Sequence, residues 1–137
     1  MKQKKLKPKF FKINLHIYPY VVLVCIAKSD KTTHNLLKRW NVPEEEMEKD
    51  KGYVMSSSSE AYAVVYKSAS VALLRLSRYP DSAYLQGILS HEIDHAVHDI
   101  LKGVGMYRTN ASEEAYTHLT AFITEQIYQK LKKKRSR

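Results

Sequence analysis

The chain of 137 residues has the length of one domain, because a chain this short does not bury two independent cores. Hydrophobic residues make up 44% of it and charged residues 27%, with four glycines and four prolines, which excludes fibrous and disordered classes. The formal net charge of +9 would suit a nucleic-acid binder if it were spread over the whole chain.

The positive charge is instead concentrated at the two ends. Residues 1–12 hold six lysines and no acid, and residues 130–137 hold four lysines, two arginines and no acid. Without those twelve, eleven basic residues face fourteen acidic ones, a net charge of −3. We therefore expect a basic leader (1–12), a single domain (13–131) and a basic tail (132–137). The two basic ends predict solvated segments, and weak, salt-dependent contact with nucleic acid or an acidic partner is the alternative.

The lone cysteine and the absence of a long apolar segment indicate the compartment. Cys25 has no partner for a disulfide and is expected to be a buried small hydrophobe, which suits a reducing environment. The lysine-rich start before Ile17–Ala27 resembles a signal peptide, but Pro19 interrupts the apolar run and residues 12–17 alternate as in a strand. No stretch approaches the roughly 20 apolar residues of a spanning helix. We expect a cytoplasmic protein with no membrane contact.

The first half of the chain predicts strands with a short helical region between them. Phe10–Ala27 reads as one long strand or a strand kinked near Pro19, and Asp30 or Thr33 is expected to cap a helix through His34–Trp40. Further elements are predicted in chain order: a helical turn and loop over Pro43–Gly52, a strand at Tyr53–Met55, a turn at Ser56–Ser59, and strands at Ala61–Tyr66 and Val71–Leu76.

The second half predicts two helices. From Asp81 to Lys102, apolar residues recur at spacings of three and four, so we expect a long amphipathic helix that starts at Asp81 or Ser82 and stops at Gly103. A second helix is predicted over Glu113–Leu131, capped by Asn110 or Ser112. The fold class is therefore α+β, with a small mixed or antiparallel sheet packed on the long helix.

The long helix carries the sequence His91-Glu92-Ile93-Asp94-His95 at its centre. Residues four apart lie one turn apart on the same face of a helix, so His91 and His95 can direct two imidazoles at one metal ion. Glu92 is rotated by about 100°, which keeps it off the metal and within reach of a metal-activated water. The pattern predicts a Zn²⁺ site with Glu92 as general base.

Catalytic zinc commonly takes three protein ligands, and the third is expected from the start of the second helix. Glu113 shares a helical-wheel face with Thr117, Thr120 and Thr124, a polar stripe that should face solvent. Glu114 lies beside the apolar arc and is expected to pack towards the first helix. We therefore predict Glu114 as the ligand, with Glu113 as the alternative.

Several neighbouring side chains are candidates for supporting roles. His118 is predicted to stabilise the oxyanion of a tetrahedral intermediate, with Tyr116 or Tyr107 as further candidates. His98 is too far along a straight helix from His91 to share its metal, so we expect it in the surroundings of the site or on the polar surface. Asp99 either hydrogen-bonds the second nitrogen of His95 or is an ordinary exposed aspartate.

With these residues in place, the chain resembles the gluzincin zinc metallopeptidases, in which a second helix supplies a glutamate ligand. Residues 90–96 and Glu113–Tyr116 look most like the compact members encoded by phages and mobile elements, and the resemblance covers residues 85–128. It implies a minimal zincin-like fold with one zinc ion and peptide-bond hydrolysis. Larger members carry an aspartate four residues after the ligand glutamate, where this chain has His118.

The sequence thus predicts a zinc metallopeptidase that acts on a protein or peptide substrate. The mechanism has His91, His95 and Glu114 on the metal while Glu92 takes a proton from water and returns it to the leaving amine. The alternative is a non-catalytic zinc-containing phage accessory or structural protein whose basic tails contact nucleic acid or a protein partner.

Overall fold

The computed structural model describes residues 8–50 and 60–132. Four strands and four helices follow one another along them: β1 (Lys9–Asn14), β2 (Val21–Ile26), α1 (Asp30–Arg39), α2 (Glu44–Asp50), β3 (Ala61–Tyr66), β4 (Val71–Leu76), α3 (Ala83–Gly103) and α4 (Glu113–Lys132). The fold is α+β with a small mixed sheet, which confirms the predicted class.

The long strand predicted over Phe10–Ala27 is wrong, because the chain reverses in its middle. β1 and β2 pair antiparallel, with Phe11 opposite Val24. His16 adopts a left-handed backbone with φ of 62°, and the Ile17 amide bonds back to the Leu15 carbonyl. These local bonds turn the chain before Pro19, and sequence alternation alone does not reveal a reversal of direction.

Two antiparallel hairpins lie side by side in the sheet, whose strand order is β1-β2-β4-β3. β2 and β4 are the parallel pair at the centre, and β4 is buried along its whole length. Strands covered on both faces need largely apolar sequence, which the runs 21–26 and 71–76 supply except at Arg75, whose guanidinium pairs with Asp30. β1 and β3 are the sheet edges, and β1 takes in the last four residues of the predicted leader.

Helices cover both faces of the sheet. On one face α3 and α4 pack on Val22, Val24 and Leu74 in the larger core, and α1 and α2 pack on Leu23 and Leu73 in the smaller core on the other face. Apolar side chains alternate between the two cores along each central strand, as the two-residue period of a strand requires. The site helix α3 is thus held by a sheet that is itself supported from behind.

Serine side chains cap the N-termini of α1 and α3. Ser82 accepts a hydrogen bond from the Leu85 amide at 3.1 Å and begins α3, which ends at Gly103 as predicted. α1 begins earlier than expected because Ser29, rather than Asp30 or Thr33, is its cap and accepts a bond from the Thr32 amide. A serine side chain at this position satisfies a backbone donor that the helix leaves open.

Two sequence predictions, the strand at residues 53–55 and the turn at residues 56–59, lie outside the described residues. The segment after Pro43 forms the helix α2 rather than a single helical turn. Within residues 8–50 and 60–132, no helix combines the length and the apolar character needed to cross a membrane.

Candidate metal centre

His91 and His95 converge on the exposed side of α3. Their Nε2 atoms are 3.0 Å apart, and the two rings are nearly perpendicular with centroids 4.5 Å apart. Two nitrogens on one tetrahedral zinc ion, each at about 2.0–2.1 Å, would be separated by about 3.3–3.4 Å. The pair therefore lies within a few tenths of an ångström of the spacing that a shared metal needs.

Glu92 points to a different side of α3, towards the edge strand β3. It is half-buried, and the backbone amide of Ala63 donates to its carboxylate. Burial raises the pKa of the Glu92 carboxyl above its usual value, while the charges of His95 and His91 and the Ala63 amide oppose that rise. A carboxylate with a raised pKa beside two imidazoles is a stronger proton acceptor than an ordinary glutamate.

The register of β3 explains why the Ala63 amide is available. The Ser77 amide bonds to the Glu60 carbonyl just before the strand, so Tyr62, Val64 and Tyr66 turn their backbone groups towards β4. Ala61, Ala63 and Val65 then turn theirs away from β4 at the sheet edge. This edge can accept an extended peptide as a further strand.

The first turn of α4 carries the predicted third ligand on its exposed side. Glu114 and His118 form an ion pair of 2.9 Å between Oε2 and Nε2, and their side chains are 85% and 81% exposed. The buried face of α4 consists of Tyr116, Leu119, Ile123 and Ile127. The wheel prediction that the Glu114 face packs towards α3 is therefore wrong, because the apolar arc turns Glu114 and His118 outward.

Glu113 is connected to α3 through an arginine. Arg108 lies 3.7 Å from Glu113 and 3.4 Å from Asp94, and its guanidinium lies 5.0 Å from the centre of the Tyr116 ring. The polar helical face that carries Glu113 was predicted to face solvent, but at Glu113 it contacts Arg108. Among the described residues, no group of three or more His, Cys, Asp or Glu side chains is close enough to hold a metal. The structure brings together His91, Glu92 and His95, and separately Glu114 and His118.

The candidate supporting residues have other contacts. Tyr116 is buried, and its hydroxyl donates to the Met106 carbonyl at 2.7 Å, so it ties the α3–α4 loop rather than lining a reaction site. His98 packs against the Tyr116 ring, whereas Tyr107 is 62% exposed. No hydrogen bond joins Asp99 to His95 in the part of the chain that the structure describes, so its predicted role in orienting His95 is not seen.

His118 also borders an apolar pocket of about 320 Å³ between the β1–β2 turn and α4. Its lining is Leu15, His16, Ile17, Tyr18, His118, Leu119 and Phe122. The rings of His16 and Phe122 are in edge contact at 6.2 Å, and Ile17 is 82% exposed. The contacts of His118 are thus with Glu114 and this pocket.

Sequence reasoning missed two contributors to the site. The Ala63 amide carries no residue signature, because any residue other than proline could donate from that position. Arg108 could have been identified from the sequence, because it is the only lysine or arginine between Lys102 and Glu125. A single cation among carboxylates is expected to bridge them.

Comparison with protein-family models, with curated proteins and with solved structures gives no match.

Proposed function

We propose that this protein is a zinc-dependent metallopeptidase of the gluzincin type. The observation that carries the proposal is the convergence of the His91 and His95 nitrogens at 3.0 Å beside a half-buried glutamate whose pKa is raised. An exposed histidine pair also occurs by chance, but a general base one residue from that pair and bonded to the edge strand β3 is what hydrolysis requires.

The two imidazoles fit a zinc ion by donor type and spacing. The Nε2 atom of an unprotonated imidazole has a lone pair to offer a metal ion. A bound zinc would supply Lewis acidity, which polarises a carbonyl and acidifies water. The exposed position of both rings leaves room for a substrate to approach.

The chain's own residues would position the peptide and move the proton. The outward backbone groups of Ala61 and Val65 would hold an extended peptide along β3, and Glu92 reaches the same edge through its bond from the Ala63 amide. Glu92 takes a proton from the attacking water and returns it to the leaving amine. Its raised pKa makes the first transfer, from water to the carboxylate, easier than it would be to an ordinary carboxylate.

The proposed third ligand comes from the first turn of α4. Glu114 is the residue predicted from the sequence, with Glu113 as the alternative, and its only described side-chain contact is with His118. Since both side chains are almost fully exposed, swinging Glu114 away from His118 disturbs no packing. Glu113 is less free to do this, because Arg108 holds it.

The test compares zinc content and peptide cleavage in three purified proteins. The wild type should bind one zinc and cleave peptides from a proteome-derived library. Glu92→Gln should keep the zinc and lose turnover by about 10²–10⁴-fold, as expected for removal of a general base. His91→Ala should lose both. Full zinc occupancy in His91→Ala, or undiminished cleavage by Glu92→Gln, would disprove the proposal.

The alternative is a zinc-containing protein without catalysis. It shares the ligands, so metal content does not separate the two functions. Replacing Glu92 separates the two functions, because a structural metal site does not need a proton acceptor. Holding the Glu92 carboxylate half-buried also costs stability. Zinc-bound wild type that cleaves nothing in the library would favour this alternative.

A further inference from the structure

The charges of the described domain are separated along the chain. Residues 8–42 carry six lysines and arginines against one acid, a net +5 with neutral histidines, whereas residues 81–125 carry two against seven, a net −5. The second segment contains the candidate metal centre on α3 and α4. The first contains β1 and α1, and the patch it forms is separate from that centre.

A groove runs between β1 and α1 on the smaller-core side of the sheet. It has a volume of about 420 Å³ and is lined by Phe10, Lys28, Thr32, Asn35, Leu36 and Arg39. The α1 members recur at spacings of three and four, so they form one face of that helix. We call this site the α1–β1 groove. Its apolar lining residues are Phe10 and Leu36, and its cationic lining residues are Lys28 and Arg39.

A lysine lies over a tryptophan next to residues of the groove. Lys12 lies two residues beyond Phe10 and so on the same face of β1, and its Nζ is 5.4 Å from the centre of the Trp40 ring. Trp40 follows Arg39 directly and is half-buried. The Trp40 ring and the Lys12 amine are therefore sequence neighbours of groove residues rather than part of its lining.

The cations in and beside the groove are not neutralised by neighbouring acids. Within residues 8–50 and 60–132, none of Lys12, Lys28 and Arg39 forms an ion pair. The single acid of the segment, Asp30, pairs with Arg75 at 2.5 Å. Cations held close together without counter-charges repel each other, and a polyanion relieves that repulsion.

We propose that the α1–β1 groove binds single-stranded nucleic acid without sequence preference. Lys28 and Arg39 contact successive phosphates, while Phe10 and Trp40 offer ring faces on which bases stack, with Lys12 moving from the Trp40 ring to a phosphate. Stacking on aromatic rings tolerates every base, and phosphate contacts carry no sequence information. An acidic peptide would use the cations but has no bases for the rings.

The experiment measures binding of a fluorescein-labelled 20-nucleotide oligo(dT) by fluorescence anisotropy with the full chain. Trp40 is the only tryptophan and directly follows the groove residue Arg39, so intrinsic tryptophan emission reports on the surroundings of this groove. Wild-type emission should be quenched on titration with unlabelled oligo(dT). The variant Lys28→Gln/Arg39→Gln should bind about tenfold more weakly at ~0.1 M salt, with a log–log salt slope smaller by about 1.4, because each phosphate contact on a single strand contributes about 0.7.

The matched control is Lys67→Gln/Lys102→Gln, which removes two exposed lysines outside the groove. It should leave the salt slope and the Trp40 quenching unchanged. Equal weakening in both double variants, or an unchanged slope in the groove variant, would overturn the proposal and assign binding to general charge or to the basic ends. Polyglutamate that quenches Trp40 as strongly as oligo(dT), or a 20-base-pair duplex that binds more tightly, would also overturn it.

Discussion

Glu92 shows how a functional residue can work against the stability of its own fold. Burial raises the pKa of its carboxyl, so the folded state holds the Glu92 proton more tightly than the unfolded chain does. The contribution of Glu92 to stability is therefore greatest below the pKa of the unfolded chain and declines as pH rises through the raised value. The folded protein is therefore less stable when Glu92 carries the negative charge that it needs to accept a proton than when Glu92 is protonated.

Burial also raises the pKa of Cys25, but with a different consequence. It is 1% exposed in the smaller core, where burial raises the thiol pKa to about 11, and the charges of Arg75 and Lys28 only partly oppose this. At pH 8 about one thiol in a thousand would then be ionised, against about one in four for a free cysteine. Its favourable effect on stability is lost as pH rises towards that pKa.

We therefore predict that native Cys25 does not react with a thiol reagent such as dithionitrobenzoate at pH 8. One thiol per chain should react after unfolding in guanidinium chloride. The Cys25→Ala variant supplies the blank, since the chain has no other cysteine. Native labelling at the rate of a free thiol would show that β2 is not buried between the two helical layers.

Among the elements, those with a clear internal period were predictable from the sequence. The bounds of α3 follow from its apolar spacing, Ser82 and Gly103, and the histidine pair follows from α3, because helical geometry alone brings residues four apart together. The strands β3 and β4 were equally readable from their apolar runs.

Elements defined by long-range contacts were not predictable. The turn between β1 and β2 depends on the left-handed backbone of His16, which alternation does not encode. The orientation of α4 depends on which neighbour its apolar arc meets, and a helical wheel contains no information about neighbours. The approach of the Ala63 amide to Glu92 depends on the pairing of β3 with β4 and on the packing of α3, so no single segment predicts it.

The most specific prediction for a single element concerns the third zinc ligand at the start of α4. If Glu114 is the third zinc ligand, Glu114→Ala should weaken zinc binding by more than about 100-fold, since even residues that only support a ligand change affinity by about 10–100-fold. Glu113→Ala should change it little, because that residue is paired with Arg108. Zinc affinity can be measured by competition with a chromophoric chelator.

The two variants form a matched pair, since each removes one exposed carboxylate from the same helical turn. A larger loss in Glu113→Ala would mean that α4 keeps its orientation on binding zinc and that Arg108 releases Glu113. Small, equal losses would mean that α4 supplies no ligand, which would remove the basis of the gluzincin resemblance.

At the scale of the whole molecule, the segment that carries the candidate metal centre is acidic, whereas the segment that contains β1 and α1 is basic. The acidic segment 81–125 surrounds the histidine pair, and the basic segment 8–42 forms the α1–β1 groove. Fields of this kind raise the local concentration of ligands of opposite sign. If the protein is a peptidase, its substrates should therefore be cationic, and nucleic acid should be repelled from the catalytic side.

We accordingly predict that peptides with lysine or arginine next to the scissile bond are cleaved about tenfold more efficiently than matched peptides with glutamate, as kcat/KM at low salt. The preference should collapse at about 1 M salt, where the Debye length is about 3 Å. Neutralising acidic residues of the α3–α4 segment away from the motif, in Asp81→Asn/Glu125→Gln, should reduce it. The same neutralisation on α2, in Glu45→Gln/Glu48→Gln, should not, because α2 lies across the sheet from α3. A preference that survives high salt would have to come from a side-chain pocket rather than from the field of the acidic segment.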